Sequence, residues 1–243
     1  MDYYFTKDFA GPPFVLFRMP HLMALAMVIL CALFVIFLRW RQNPILNSSF
    51  RLSLATLLIL QEISYHLWNI YIDEWTLQKM LPLHVCSAFV WLSAVMLVTG
   101  NRRIYEFTFF LGLSGALQAV LTPDIADYGF PHYRFFHVFI SHGAIIIAAL
   151  YMTIVEGYRP TWRSFGRVFL WLNVYAVAVF FINILIGSNY MYVRHKPETA
   201  SLLDVLGPWP IYIFVGEAVA LVMFFILYLP FALSDWRMAR RVG

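Results

Sequence analysis

An all-α integral membrane protein is what this sequence predicts: a single bundle of seven transmembrane helices, N-terminus outside and C-terminus inside. Three observations carry that expectation. Of the 243 residues, 62% are hydrophobic and only 12% charged, with a mean hydropathy of +0.73; an ordinary soluble domain carries about 25% charged residues. Apolar runs of roughly 20 residues, the length that crosses a bilayer, recur seven times between charges, prolines and glycines. Arginine, finally, is concentrated on alternate connections. Aromatic residues at 19% suit interfacial belts and a packed interior. No hydrophilic stretch is long enough for a separate domain, so residues 1–243 are expected to form one seven-helix unit.

The first run, about 20–39, follows a segment holding acids and prolines, lacks a basic leader and ends at Arg39-Trp40-Arg41. It reads as a true span and not as a signal peptide. The second, about 52–72, carries Glu62, His66 and Asn69 at i, i+4 and i+7, on one face. The third, about 82–99, opens as Leu81-Pro82-Leu83-His84-Val85-Cys86-Ser87, and Pro82 suits a first helical turn. The fourth, about 104–122, holds Gln118 near its end and stops at Thr122-Pro123-Asp124. The fifth, about 135–155, begins with His137 and continues to Ser141-His142-Gly143. The sixth, about 166–187, ends with Asn183, followed by Ser188 and Asn189. The seventh, about 209–231, carries Glu217.

Orientation follows from the basic residues. With the N-terminus outside, the inner segments hold Arg39, Arg41, Arg51, Arg102, Arg103, Arg159, Arg163, Arg167, Arg237, Arg240 and Arg241, which is 11 of the 17 Lys and Arg. Lys7, Arg18, Lys79, Arg134, Arg194 and Lys196 fall outside, where Asp73, Glu74, Asp124 and Asp127 also lie. The positive-inside rule selects this arrangement.

Given that orientation, His21, His66, His84, His132, His137 and His142 all fall in the outer half, six of the seven histidines. Cys86, Asn69, Gln118 and Asn183 join them, whereas the inner halves are almost purely aliphatic and aromatic. Polar groups are costly in hydrocarbon, so their gathering at one depth points to a pocket or reaction centre. His132 beside Pro131 and His21 read as interfacial anchors, His195 as solvated, and Cys31 as filler in an apolar helix. Glu62 and His66 also fit a simple interhelical clamp. No His-Glu-x-x-His, Gly-x-Ser-x-Gly, CxxC or glycine-rich phosphate loop is present.

The chemistry open to this set is limited. A cysteine with a nearby histidine performs acyl transfer: the imidazole takes the thiol proton and a thioester forms. Cys86 is the candidate nucleophile, with His142 or His84 as base. Glu62 or Asn183 would orient the imidazole, and Gln118 or Asn69 would stabilise an oxyanion. The same residues admit a second use, since three histidines with Glu62 could bind zinc. A transporter or small-molecule-binding protein with a protonatable histidine site is a further alternative. His137 and His142 stand about 140° apart on an ideal helix, so a site using both must be wide.

The strings LPLHVCS, GALQAVLTPD, FPHYRFFHVFISHG, NYMYVRHKP and SLLDVLGPWPIY resemble the YwaF family of bacterial multi-spanning membrane proteins, over about residues 15 to 235. That family is more remotely similar to the transmembrane protein 164 group, whose members look like cysteine-dependent phospholipid acyltransferases. A still more distant similarity is to the androgen-induced membrane hydrolases, which use a threonine and a histidine. The resemblance implies a multi-pass protein of the bacterial cytoplasmic membrane. By motif it places the nucleophile on Cys86 in LHVC and the histidine on His142 in SHG; the residue pattern itself then suggests His84, His137, Glu62 and His66 for supporting roles. The expected partners are phospholipids or lysolipids, not nucleic acid, with Asn69, Asn189, Gln118 and Asn183 at the substrate. No cofactor is expected on this reading.

Overall fold

The computed structural model describes residues 2–125, 127–197 and 202–242, and among them no strand occurs. Seven long helices follow one another: α1 (Met19–Arg41), α2 (Pro44–Tyr71), α3 (Val85–Thr99), α4 (Arg102–Leu121), α5 (Tyr133–Ile154), α6 (Trp162–Ile186) and α7 (Ile211–Val242). Local signals explain the boundaries. Asn43 caps α2 by accepting the Leu46 N–H at 3.0 Å, and Pro44 opens the helix, so it starts some eight residues before the apolar run does. Asn101 caps α4 on the Arg103 and Ile104 N–H groups. Thr161 and Ser164 form a reciprocal capping box on α6. Gly100 (φ 64) and Gly187 (φ 68) end α3 and α6 in the left-handed conformation that glycine adopts without strain. Within α4, residues Thr108–Gly112 widen into a π turn.

Five of these helices, α1, α4, α5, α6 and α7, are long and apolar enough to cross a membrane. Charge and polarity along α2 (Arg51, Gln61, Glu62) lower its hydropathy. At 15 residues, about 22 Å, α3 falls short of a bilayer core of about 30 Å.

The α5 helix is the axle of the bundle. It packs against α1, α2, α3 and α4, and 78% of its apolar window is buried, against 11% for α6 and 17% for α1 and α7. Small residues permit this: Gly143 lies so close to α1 that a Cβ there would meet Val28 at 3.1 Å. At one end of the bundle, which carries most of the arginines, Tyr158 OH donates to the Gly100 carbonyl at 2.6 Å and Arg159 pairs with Asp235 at 2.8 Å. The opposite end gathers the histidines. There His21, predicted to be an interfacial anchor, is instead fully buried and joins α1 to the last turn of α4, through the Val120 carbonyl at 2.9 Å.

Candidate active site

The histidine end is organised around the start of α3. Residues 72–84, which precede it, are not a continuous helix; one short turn, Leu77–Met80, interrupts them. Backbone groups outside a helix ladder need other partners, and two tyrosines supply them to this segment. Tyr190 OH donates to the Leu77 carbonyl at 2.6 Å and accepts from the Leu81 N–H at 2.8 Å. Tyr175 OH donates to the Leu83 carbonyl at 3.0 Å. This segment sets α3 to begin at Val85, which places Cys86 in its first turn with the thiol free and half-buried. A Cβ on Gly115 would lie 3.9 Å from the Cys86 sulfur, so the missing side chain on α4 leaves the space beside the thiol.

The helix start is uncapped. His84 occupies the N-cap position, but its ring turns away, with Nδ1 accepting the Met191 N–H at 3.2 Å. The first intrahelical bond runs from Ala88 N–H to the His84 carbonyl at 3.0 Å. The Val85, Cys86 and Ser87 N–H groups therefore have no acceptor among the described residues, and they carry the positive end of the helix dipole.

Hydrogen-bond partners sort the six histidines into two kinds. An N–H can only donate and a carbonyl only accept, so each partner fixes the imidazole tautomer. Nδ1 is the acceptor in five of them: His21 from the Phe17 N–H (2.9 Å), His66 from Trp75 Nε1 (2.9 Å), His84 from Met191, His132 from the Arg134 N–H (3.1 Å) and His137 from Arg134 Nη1 (2.9 Å). A neutral ring in that state carries its proton on Nε2. His142 is the reverse: Nδ1–H donates to the Val138 carbonyl at 2.8 Å, one turn back on α5. Its Nε2 is left with a lone pair, the form a general base requires. No hydrogen bond joins Cys86 to His142 among the described residues.

A second group forms between α2 and α5. The His137 ring stacks on Tyr65 (centroids 4.3 Å apart, 17° between planes), and Arg134 lies over the same Tyr65 ring at 4.7 Å. Ser64 and Tyr133 are hydrogen-bonded at 2.7 Å. Buried Glu62 is within electrostatic reach of Arg134, and its carboxylate is 3.9 Å from His66 Nε2. His137 is buried, and its Nε2 has no partner. His137 looks toward α2.

Several other polar residues singled out by sequence bond within the protein itself. Asn183 is fully buried: its Oδ1 accepts from Ser188 Oγ (2.6 Å) and the Tyr190 N–H (2.8 Å), and its Nδ2 donates to the Tyr190 carbonyl (2.9 Å). Asn189 holds the next turn through Arg194 and His195. Asn69 donates to the Tyr65 carbonyl at 2.8 Å within its own helix, and Gln118 is exposed on α4. As for zinc, no three His, Cys, Asp or Glu side chains gather at ligand spacing among the described residues.

Sequence reasoning missed the N-terminal strap. Three successive carbonyls accept from side chains of the histidine end: Phe5 from Trp68 Nε1 (2.9 Å), Thr6 from His132 Nε2 (3.0 Å) and Lys7 from Tyr128 OH (3.1 Å). Backbone acceptors leave no signature in a sequence. Lys7 and Lys79 both hydrogen-bond Glu74, which ties the strap to the segment leading into α3 and holds the half-buried Glu74 carboxyl down to about 2. Burial keeps His132 below its ordinary pKa. Among comparisons with known proteins, a model of the TMEM164 family matches residues 16–228. No curated protein and no solved structure matches the chain.

Proposed function

This chain belongs to the TMEM164 family, and from that premise we propose that it is a membrane-embedded lipid acyltransferase or lipid hydrolase using Cys86 and His142. The observation that carries the reading is the tautomer of His142, the one imidazole of the six whose Nε2 is held unprotonated by its partner. It stands at the same end of the bundle as a thiol placed on an uncapped helix start.

In the proposed reaction His142 Nε2 takes the Cys86 proton, and the thiolate sulfur attacks an acyl ester carbonyl. The uncapped N–H groups of α3 would receive the oxyanion as it forms. Collapse breaks the ester C–O bond, and His142 returns the proton to the departing lysolipid oxygen, which leaves as a hydroxyl. A second lysolipid hydroxyl, or water, then attacks the thioester and gives its proton to His142; the C–S bond breaks, and His142 passes that proton to the leaving sulfur. Hydrogen bonds of this kind are commonly long in unliganded sites and tighten with substrate bound. Phospholipids would enter sideways between helices. Membership of the YwaF branch, seven spans with the N-terminus outside, and residence in the bacterial cytoplasmic membrane complete the proposal.

The test is covalent labelling of purified protein by an acyl-phosphonate or fluorophosphonate probe, alongside lipid transacylation. Cys86→Ala and His142→Ala are expected to abolish turnover, and Cys86→Ala to abolish labelling, with the melting temperature held. Cys31→Ala is expected to change neither. Undiminished labelling of folded Cys86→Ala removes Cys86 from the nucleophile role and sinks the mechanism.

A further inference from the structure

At the arginine end, away from Cys86, the α1–α2 turn and the last turn of α5 line an open cleft of about 550 Å³. That lies within the size range of small-molecule sites, and the proposed acyl transfer makes no use of it. Its walls include Arg39, Gln42, Asn47, Arg51, Tyr151 and Glu156. Both signs of charge are present. Arg51 and Glu156 approach only to 3.7 Å, beyond hydrogen-bond length. Tyr151 OH lies 3.0 Å from the Asn47 carbonyl and 3.2 Å from Glu156, which holds the carboxylate at the wall. Arg39 is exposed and forms no ion pair among the described residues. Two buried atoms are unpaired: the donor Arg51 Nε and the acceptor Asn47 Oδ1. Leaving such groups unmatched is costly, so they are expected to turn toward a ligand that offers an acceptor to one and a donor to the other.

We propose that this cleft binds a phosphate ester carrying a primary amine. The phosphate would sit between Arg39 and Arg51, and the ammonium would meet Glu156 and the Asn47 side-chain oxygen. A simple anion would meet the Glu156 carboxylate. A quaternary ammonium has no N–H to give Asn47. A phospholipid headgroup and a free phosphoethanolamine share this chemistry; basic pockets between helices at a membrane face hold lipid headgroups in this way.

The experiment is native mass spectrometry of the delipidated full chain in detergent, titrated with dioleoyl phosphatidylethanolamine, phosphatidylcholine and phosphatidylglycerol. The ethanolamine lipid is expected to be retained best. Glu156→Gln is expected to erase its advantage over the glycerol lipid, and Arg39→Gln to weaken it about fivefold, the share of one interfacial arginine, at an unchanged melting temperature. The Arg39 variant keeps the test intact if Glu156→Gln unfolds. Equal retention of the three lipids, or wild-type binding by Arg39→Gln, overturns the proposal. Displacement by soluble O-phosphoethanolamine at concentrations matching the lipid identifies the free ligand as the source; resistance to it identifies the lipid.

Discussion

An imidazole acts as a base only through a nitrogen without a proton, and its neighbours decide which nitrogen that is. The Val138 carbonyl makes that choice for His142, and Arg134 makes the opposite choice for His137. Replacing His142 by Gln keeps a polar group of similar size and removes the base. Acyl transfer is expected to fall by about 10²–10⁴-fold, the usual share of general base catalysis, without loss of folded protein. The same loss from His137→Gln, with His142→Gln active, would reverse the assignment. Asn183 allows a second test at this scale. Its amide makes three hydrogen bonds that shape the 188–190 turn, so Asn183→Ala is expected to lower stability by about 2–4 kcal/mol. Thermal unfolding in detergent measures it. A residue that bound substrate would raise KM and leave the melting temperature alone.

Single helices carry the next layer of control. Beside the thiol, Gly115 gives α4 its close approach to α3: alanine there makes ordinary contact with Cys86 sulfur at 3.9 Å, whereas leucine occupies the space beside it. Gly115→Ala is therefore expected to melt and label like wild type, and Gly115→Leu to fold but lose Cys86 labelling; equal labelling of both would show that the open side of the thiol lies elsewhere. The start of α5 should respond to pH. His132 caps α5 through Nδ1 and holds the strap through Nε2, and its folded pKa is depressed by burial. A depressed histidine contributes stability above its unfolded pKa of about 6.5, and that contribution is lost as pH falls through the folded value. Protonation also removes the lone pair that receives the Arg134 N–H. The melting temperature is expected to decline from pH 7 toward pH 5, and His132→Gln to flatten that slope; an unchanged slope in the variant would assign the decline to other groups. Glu74 adds a later loss, between about 4.5 and about 2, as its two lysine partners are released.

At the scale of the whole molecule, the part of the design visible in the sequence is the part written by repetition. Seven apolar runs correspond to seven helices, and the clustering of histidines at one end follows from where the runs begin and stop. Depth was harder to read. Pro82 marked the approach to the third helix, but the helix starts at Val85, because tyrosines from α6 and the 190 turn satisfy the backbone ahead of it. Partners decided by tertiary contact, such as the Phe5–Lys7 carbonyls or the tautomer of each imidazole, have no sequence pattern at all. Orientation rests on one asymmetry, arginine gathered at the end opposite Cys86, and it has a direct test. On a Cys31→Ser, Cys86→Ala background, Lys79→Cys places a thiol at the exposed histidine end and Arg163→Cys at the exposed arginine end. A membrane-impermeant maleimide is expected to label Lys79→Cys on intact cells and Arg163→Cys only after permeabilisation. The opposite pattern would place the Cys86 end on the cytoplasmic side. The proposed acyl transfer would then draw on the inner leaflet, and the cleft of the arginine end would face outward.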